Sequence, residues 1–430
     1  MKKVKKALTS LAIAGMALTM TPFNAFATGT VPPRLAGTTA AQTAVKIAVQ
    51  TGWTGTAILA SSASYGMVDA LTAGPLATYM KAPILLQEPG TVLNPDTRAE
   101  LTRMAVNTVY VTSGTAVISQ EVLDQLTDME ITVLSLGGVD KYGTSVNIAQ
   151  KMVGVTKVAV ANGLQDALSI AAIASAANQP ILLTNKESLP AGVAAYLTAN
   201  PAIATSDVIG GTGVISEAVK AMLPSATRHA GSTAYDTNNQ VIQDFDSVLT
   251  YSNVYVANGR TGIDALAGAP LAAQTKSAII LTDGTIPAAA TSVRARLTDS
   301  SIITTAIGGV AVVPQSVLAG IAYNTPAVSS DSVKITSIDL SAETVSISNT
   351  GDSAVDLTGW KLLSEQGHQA FSFPSGTMIQ AGGSLKIVSG PYAVVGTDTL
   401  FWTESNMWNN SGDPGVLYDS QDQVLSRYPQ

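Results

Sequence analysis

An Asp-Ala-Leu triplet begins at Asp69, Asp166 and Asp264, at intervals of 97 and 98 residues. Fourteen residues past each Asp comes an aliphatic run: Pro83-Ile84-Leu85-Leu86, Pro180-Ile181-Leu182-Leu183 and Ala278-Ile279-Ile280-Leu281. Forty-five residues past each Asp sits Gly114, Gly211 or Gly309, and fifty past lie Ser119, Ser216 and Pro314. Spacings that agree without a gap over fifty residues mark three copies of one unit. A period this long exceeds the roughly 20–50 residues of solenoid repeats, so each copy should be a domain with its own core.

Copy 2 reads as α/β. Val158–Ala161 is a β-branched run that ends at Asn162-Gly163. An alanine-rich helix is predicted over 167–177, a short apolar strand over 180–184, and a helix over 193–197 that Pro201 ends. A third strand leads into Gly210-Gly211, and a closing helix follows Ser216. Solidly apolar strands suit a parallel sheet covered on both faces, and strand–helix–strand order implies right-handed crossovers. Small alanine side chains allow close helix contact, and only 12% of the chain is charged. Both features fit three copies packed as one body.

Asp69, Asp166 and Asp264 fall where a strand end meets a helix start. An Asp there is expected to cap the helix by accepting backbone N–H bonds, with ligand contact as the alternative. Ser119 and Ser216 are expected as N-caps, with Pro314 in the first turn of copy 3. The glycines supply positive φ or close backbone approach. They resemble a phosphate-binding turn only loosely, and no copy contains G-x-G-x-x-G, so a dinucleotide site is weakly supported.

Lys2, Lys3, Lys5 and Lys6 precede an apolar run from Ala7 to Met20, followed by Ala25-Phe26-Ala27. This is the pattern of a secretory signal peptide over 1–27. The run is shorter than the roughly 20 residues that a membrane span requires, and no membrane span is expected elsewhere. Removing the leader leaves 19 basic and 30 acidic residues, a net charge of −11. Bulk attraction to nucleic acid is therefore not expected, and anion binding must come from local basic groups.

Copy 3 opens Arg228-His229-Ala230-Gly231 with Tyr235 and Thr237. Copy 1 opens Arg34-Leu35-Ala36-Gly37 with Thr43, and copy 2 has Gly137-Gly138, Asp140, Lys141, Tyr142 and Thr144. With the D-A-L, P-I-L-L-T and Gly-Gly features, these motifs resemble the clostridial-type cell wall-binding repeat 2. Copies are placed at 33–127, 128–224 and 225–322. The resemblance implies three Rossmann-like, parallel-sheet domains packed as a pseudo-threefold unit. It also implies non-covalent attachment to an anionic secondary cell-wall polymer or glycan. Candidate polymer-binding residues are Arg34, Lys141, Tyr142, Arg228 and Tyr235, with Asp69, Asp166 and Asp264. The chain departs from the family's Arg-Tyr pair at Ala40-Ala41 and from its second Arg at Ala234. Arg34 and Arg228 have a structural alternative, an ion pair with an acidic group of a neighbouring copy.

Residues 323–333 are polar and read as a linker. Trp360, Trp402 and Trp408 lie beyond it, and Glu343–Ser348 alternates as a half-buried strand does. Further alternating runs at 360–363, 384–388 and 415–418 argue for an antiparallel sandwich over 334–430. Val355-Asp356-Leu357, Gly359-Trp360, Phe373-Pro374, Gly382-Gly383 and Trp408-Asn409-Asn410 closely resemble the lamin-tail domain. That resemblance implies an all-β immunoglobulin-like sandwich that acts as an interaction module for a protein or surface partner. Trp360 is expected in its core, and Trp402 and Trp408 either there or on a contact surface.

Catalytic chemistry finds no foothold in these motifs. Cysteine is absent, and the two histidines, His229 and His368, fall in different predicted domains. No G-x-S-x-G elbow occurs and no clustered zinc ligands stand out. Neither a cofactor nor a metal is expected. The expectation is a secreted, wall-associated binding protein rather than an enzyme. The alternatives are a structural or adhesive S-layer-associated protein and, behind it, a peptidoglycan hydrolase.

Overall fold

The structure is a computed structural model that describes residues 32–294, 296, 303–323, 332–351, 355–374, 377–419 and 424–429. The predicted leader over 1–27 and most of the predicted linker lie outside the described residues.

Three four-stranded parallel sheets come first. The first runs Ile84–Gln87, Thr56–Ser61, Thr108–Val111, Thr132–Ser135. The second runs Ile181–Leu183, Lys157–Ala161, Thr205–Ile209, Ala226–His229. The third runs Ala278–Thr282, Asn253–Asn258, Ile303–Ile307, Arg34–Leu35. Val158–Ala161 shows 0% exposure at each residue, which is why this strand is solidly apolar rather than alternating. The predicted strands and helices of copy 2 are all present. The helix expected over 167–177 runs Leu164–Ala176, so it starts three residues early.

Sheet and sequence repeat are offset by one strand. The fourth strand of the first sheet comes from the opening of the second copy, and that of the second sheet from the opening of the third. The opening strand of the first copy, Arg34–Leu35, completes the third sheet, with Arg34 opposite Ala306 and Leu35 opposite Ile307. The array thus closes on itself.

Helices Ala73–Met80, Leu164–Ala176 and Ile263–Gln274 pack on one another where the copies meet. Residues 166–175 of the second of these are all buried, as an all-round apolar helix must be. Small side chains make the approach possible. A Cβ on Gly74 would stand 3.0 Å from Ser175 Oγ and 3.3 Å from the Ala269 methyl. One hydrophobic core runs through all three copies, from Ala41 to Ile307, with further clusters on the outer faces of the first and third sheets.

The C-terminal region has a two-stranded antiparallel pair, Val355–Asp356 with Met378–Ile379, and two packed four-stranded sheets. One runs Val333–Asp339, Thr344–Asn349, Ser384–Val388, Thr399–Phe401, and the other Gln369–Ser372, Lys361–Ser364, Gly415–Tyr418, Val424–Tyr428. The expectation of a wholly antiparallel sandwich needs one correction: Ser384–Val388 and Thr399–Phe401 pair in parallel. The ten residues between them carry the chain back along the sheet instead of reversing it in a hairpin. Trp360 and Trp408 are buried in the shared core, and Trp402 packs edge-on against Trp408 at 6.0 Å. The tryptophans therefore serve packing.

Candidate functional site

In each sheet the chain order reverses at the strand Thr56–Ser61, Lys157–Ala161 or Asn253–Asn258, so a crevice opens at the C-terminal strand ends, where open α/β sheets take ligands. The repeated Asp and glycines meet there. Asp166 lies in the first turn of its helix, and a Cβ on Gly210 would stand 2.5 Å from its Oδ2. Asp264 and Gly308 repeat this arrangement at the same 2.5 Å. Gly210 and Gly308 hold φ of 113° and 112°, in the region that favours glycine.

The capping expectation for these aspartates is not met. The N-caps are Gly163 and Gly262, and neither helix has a side-chain cap bond. Asp69 falls late in the helix Ser64–Ala70. The Asp166 and Asp264 carboxyls are buried instead, and Asp69 is half-buried. Burial raises Asp166 and Asp264 to about 6. Burial also raises Asp69, against a bond from Ser113. Among the serines, Ser216 caps by accepting from the Val219 N–H, as expected. Ser119 occupies its N-cap position without a side-chain bond.

On the far side of each glycine stands an arginine. Arg228 Nη1 donates to Gly210 O at 2.7 Å and Nη2 to Ile215 O at 2.8 Å. Arg34 Nη1 donates to Gly308 O at 2.7 Å, and its Nη2 to Val313 O at 2.8 Å and Gln315 Oε1 at 3.1 Å. The two guanidinium forks clasp equivalent turns. Arg228 also pairs with Glu217 at 3.1 Å, the ion-pair alternative read from sequence. Burial lowers the pKa of Arg34 to about 10, while Asp356 of the sandwich favours its charge. Arg34 therefore stays protonated at neutral pH. In the first sheet Ser135 stands opposite Val111, as Arg228 does opposite Val208, so that crevice has no clasping arginine.

Lys141 and Tyr142 lie elsewhere. The Lys141 ammonium sits 5.1 Å over the Tyr142 ring, whose hydroxyl bonds Asn185 Oδ1. Lys141 also lines a cavity of about 570 Å³ between the strand-to-helix turns of all three copies. Arg260 lines the same cavity and was not singled out from the sequence. It lies in a turn two residues longer than that of copy 2: Asp264 follows Asn258 by six positions, and Asp166 follows Asn162 by four. Ahead of the Asp the spacing differs in every copy, with eight positions from Ser61 to Asp69 in copy 1, and that variable turn was the available signal. Tyr235 instead packs over Gly259, where a Cβ would stand 2.8 Å from its Cε1.

The described residues contain no helix long and apolar enough to cross a membrane, and no cluster of His, Cys, Asp and Glu that could hold a metal ion.

Comparison with known proteins agrees with this architecture. Residues 34–123, 135–220 and 228–318 each match the model of cell wall binding domain 2, and residues 326–430 match the lamin tail domain. The N-acetylmuramoyl-L-alanine amidase LytC of Bacillus subtilis is 34% identical over 254 residues, covering 58% of this chain and 50% of that amidase. An amidase enhancer of the same organism is 32% identical over 53% of this chain and 31% of its own length. The chain thus spans half or less of these relatives. Among solved structures, Cwp6 of Clostridium difficile superposes with a TM-score of 0.63 at 28% identity, over 74% of this chain and 51% of Cwp6. Cwp8 of the same organism gives 0.61 at 25% identity, over 69% and 52%. The three sheets and the matched repeats agree: this chain belongs to the cell wall binding domain 2 family, and it carries a lamin tail domain after the repeats.

Proposed function

We propose that this is a secreted wall-associated protein. Its three repeats hold an anionic secondary wall polymer without a covalent bond, and its lamin tail domain meets a protein or surface partner. The observation that carries this reading is the closed array of three wall-binding copies. In this reading residues 1–27 are an export signal, the copies occupy 33–127, 128–224 and 225–322, a linker spans 323–333 and the sandwich spans 334–430. Lys141 and Tyr142 contact the polymer. Asp69, Asp166 and Asp264 shape the crevices, while Arg34 and Arg228 support the fold before any ligand, because their donors already hold backbone carbonyls.

The proposed role is binding rather than catalysis. The amidase and enhancer names belong to relatives that this chain only partly spans. The test is co-sedimentation of the chain with purified walls before and after acid extraction of their anionic polymers. Retention that is lost on extraction supports the reading, and failure to sediment with intact walls overturns it. Clearing of peptidoglycan in a zymogram would assign a hydrolase instead.

A further inference from the structure

Resting on the wall-binding reading, we propose that the cavity between the three copies is a single shared seat for one anionic sugar or polyol unit, gripped by Lys141 and Arg260. Each copy would then contribute to one charged site instead of carrying its own.

The cavity's size, about 570 Å³, lies within the roughly 300–1,000 Å³ of small-molecule sites. Its lining fits the proposed ligand. Lys141 and Arg260 supply two cations, and no carboxylate lines it. At the rim, Asp283 stands 3.9 Å from Arg260, whose side chain is 72% exposed and has reach to spare. Ser62, Ser64, Asn162 and Thr261 offer hydroxyl and amide groups for sugar hydroxyls. Met67, Leu71, Leu164 and Ile263 add apolar lining against which a sugar or polyol backbone can pack. In a chain of net charge −7, such a spot focuses an anion that the bulk surface repels.

The asymmetry follows from equivalent positions. Thr43, Thr144 and Thr237 each accept a bond from Gly37, Gly138 and Gly231 in turn, which aligns the three opening helices. Lys141 then corresponds to Ala40 and Ala234, so copies 1 and 3 bring no cation at that position. Arg260, in the strand-to-helix turn of copy 3, supplies the second charge. Arg34 and Arg228 cannot substitute, being clasped to the turns.

A carboxylate and a phosphate present the same oxyanion to these cations, so the experiment uses both. The full chain, labelled at methionine methyls, is titrated with glucuronate and separately with glycerol 3-phosphate at low salt, with Met67 as reporter. The expected result is a saturable shift of Met67 with at least one anion. Lys141→Gln and Arg260→Gln each weaken it at least about fivefold, the loss of one charge-assisted contact, and Lys141→Arg retains it. Saturation with one anion alone names the oxyanion. No saturable shift with either, or a shift that the double variant leaves unchanged, overturns the proposal. Wall sedimentation of the same proteins separates the two ideas. If the double variant is retained as well as the parent, the seat is wrong and wall binding stands. If the parent itself is not retained, wall binding fails whatever Met67 reports.

Discussion

Arg34 and Arg228 show what one side chain does in this fold. Each fork joins the fourth strand of a sheet to the turn after the third, across a junction between copies. Arg34→Ala leaves two carbonyls without their donors and is expected to cost about 2–3 kcal/mol in urea unfolding. Arg34→Lys should recover only part of this, since an ammonium lacks the planar fork. His229 makes a second junction. Its Nδ1 lies 2.6 Å from Asp244 and its Nε2 3.1 Å from Asp207, which Lys157 also contacts at 2.7 Å. Burial alone would lower the His229 pKa, but the bonds to Asp207 and Asp244 outweigh it and raise the value. A raised histidine contributes stability that is complete below the unfolded value of about 6.5 and is lost as pH rises through the folded value. The melting temperature should therefore fall above about pH 6.5, and His229→Gln should flatten that slope. A parallel slope in both proteins would refute it.

At the scale of elements, the close helix contacts rest on missing side chains. Gly74→Val would push its helix off Ser175 and Ala269, at an expected cost of about 1–3 kcal/mol in a thermal melt. Gly74→Ala should cost less, because its contacts at 3.0 and 3.3 Å need only a small shift. Much of this level was legible in the sequence. The constant spacing from Asp166 to Gly210-Gly211 reflected a real meeting of carboxylate and turn. Its geometry was not legible, because a helix start is set by backbone dihedrals. Gly163 and Gly262 start the helices early, which turns the aspartates from caps into buried first-turn groups. Arg260 escaped notice for the opposite reason, since repeat reading favours what recurs and this arginine occurs once.

For the whole molecule, the decisive contact joins residues 34–35 to 303–307. No local pattern announces such a pairing: Arg34-Leu35 is two residues long, and its partner lies more than 260 residues away. Deleting residues 32–37 should expose the edge of Ile303–Ile307, lower the melting temperature and raise hydrogen exchange in that strand above the other central strands. Unchanged protection there would show that the closure contributes nothing. An open row of repeats needs special end units to shield its last faces. Here every copy lends a strand to the one before it, and the first lends to the last. The loan circuit fixes its own membership. A copy inserted or lost keeps the strand count balanced but changes the angle through which the row must turn, and residues 34–35 then no longer meet 303–307. Copy number is thereby protected against the unequal duplications that lengthen and shorten open repeat arrays. New modules have room only outside the circuit, which is where the lamin tail domain is attached.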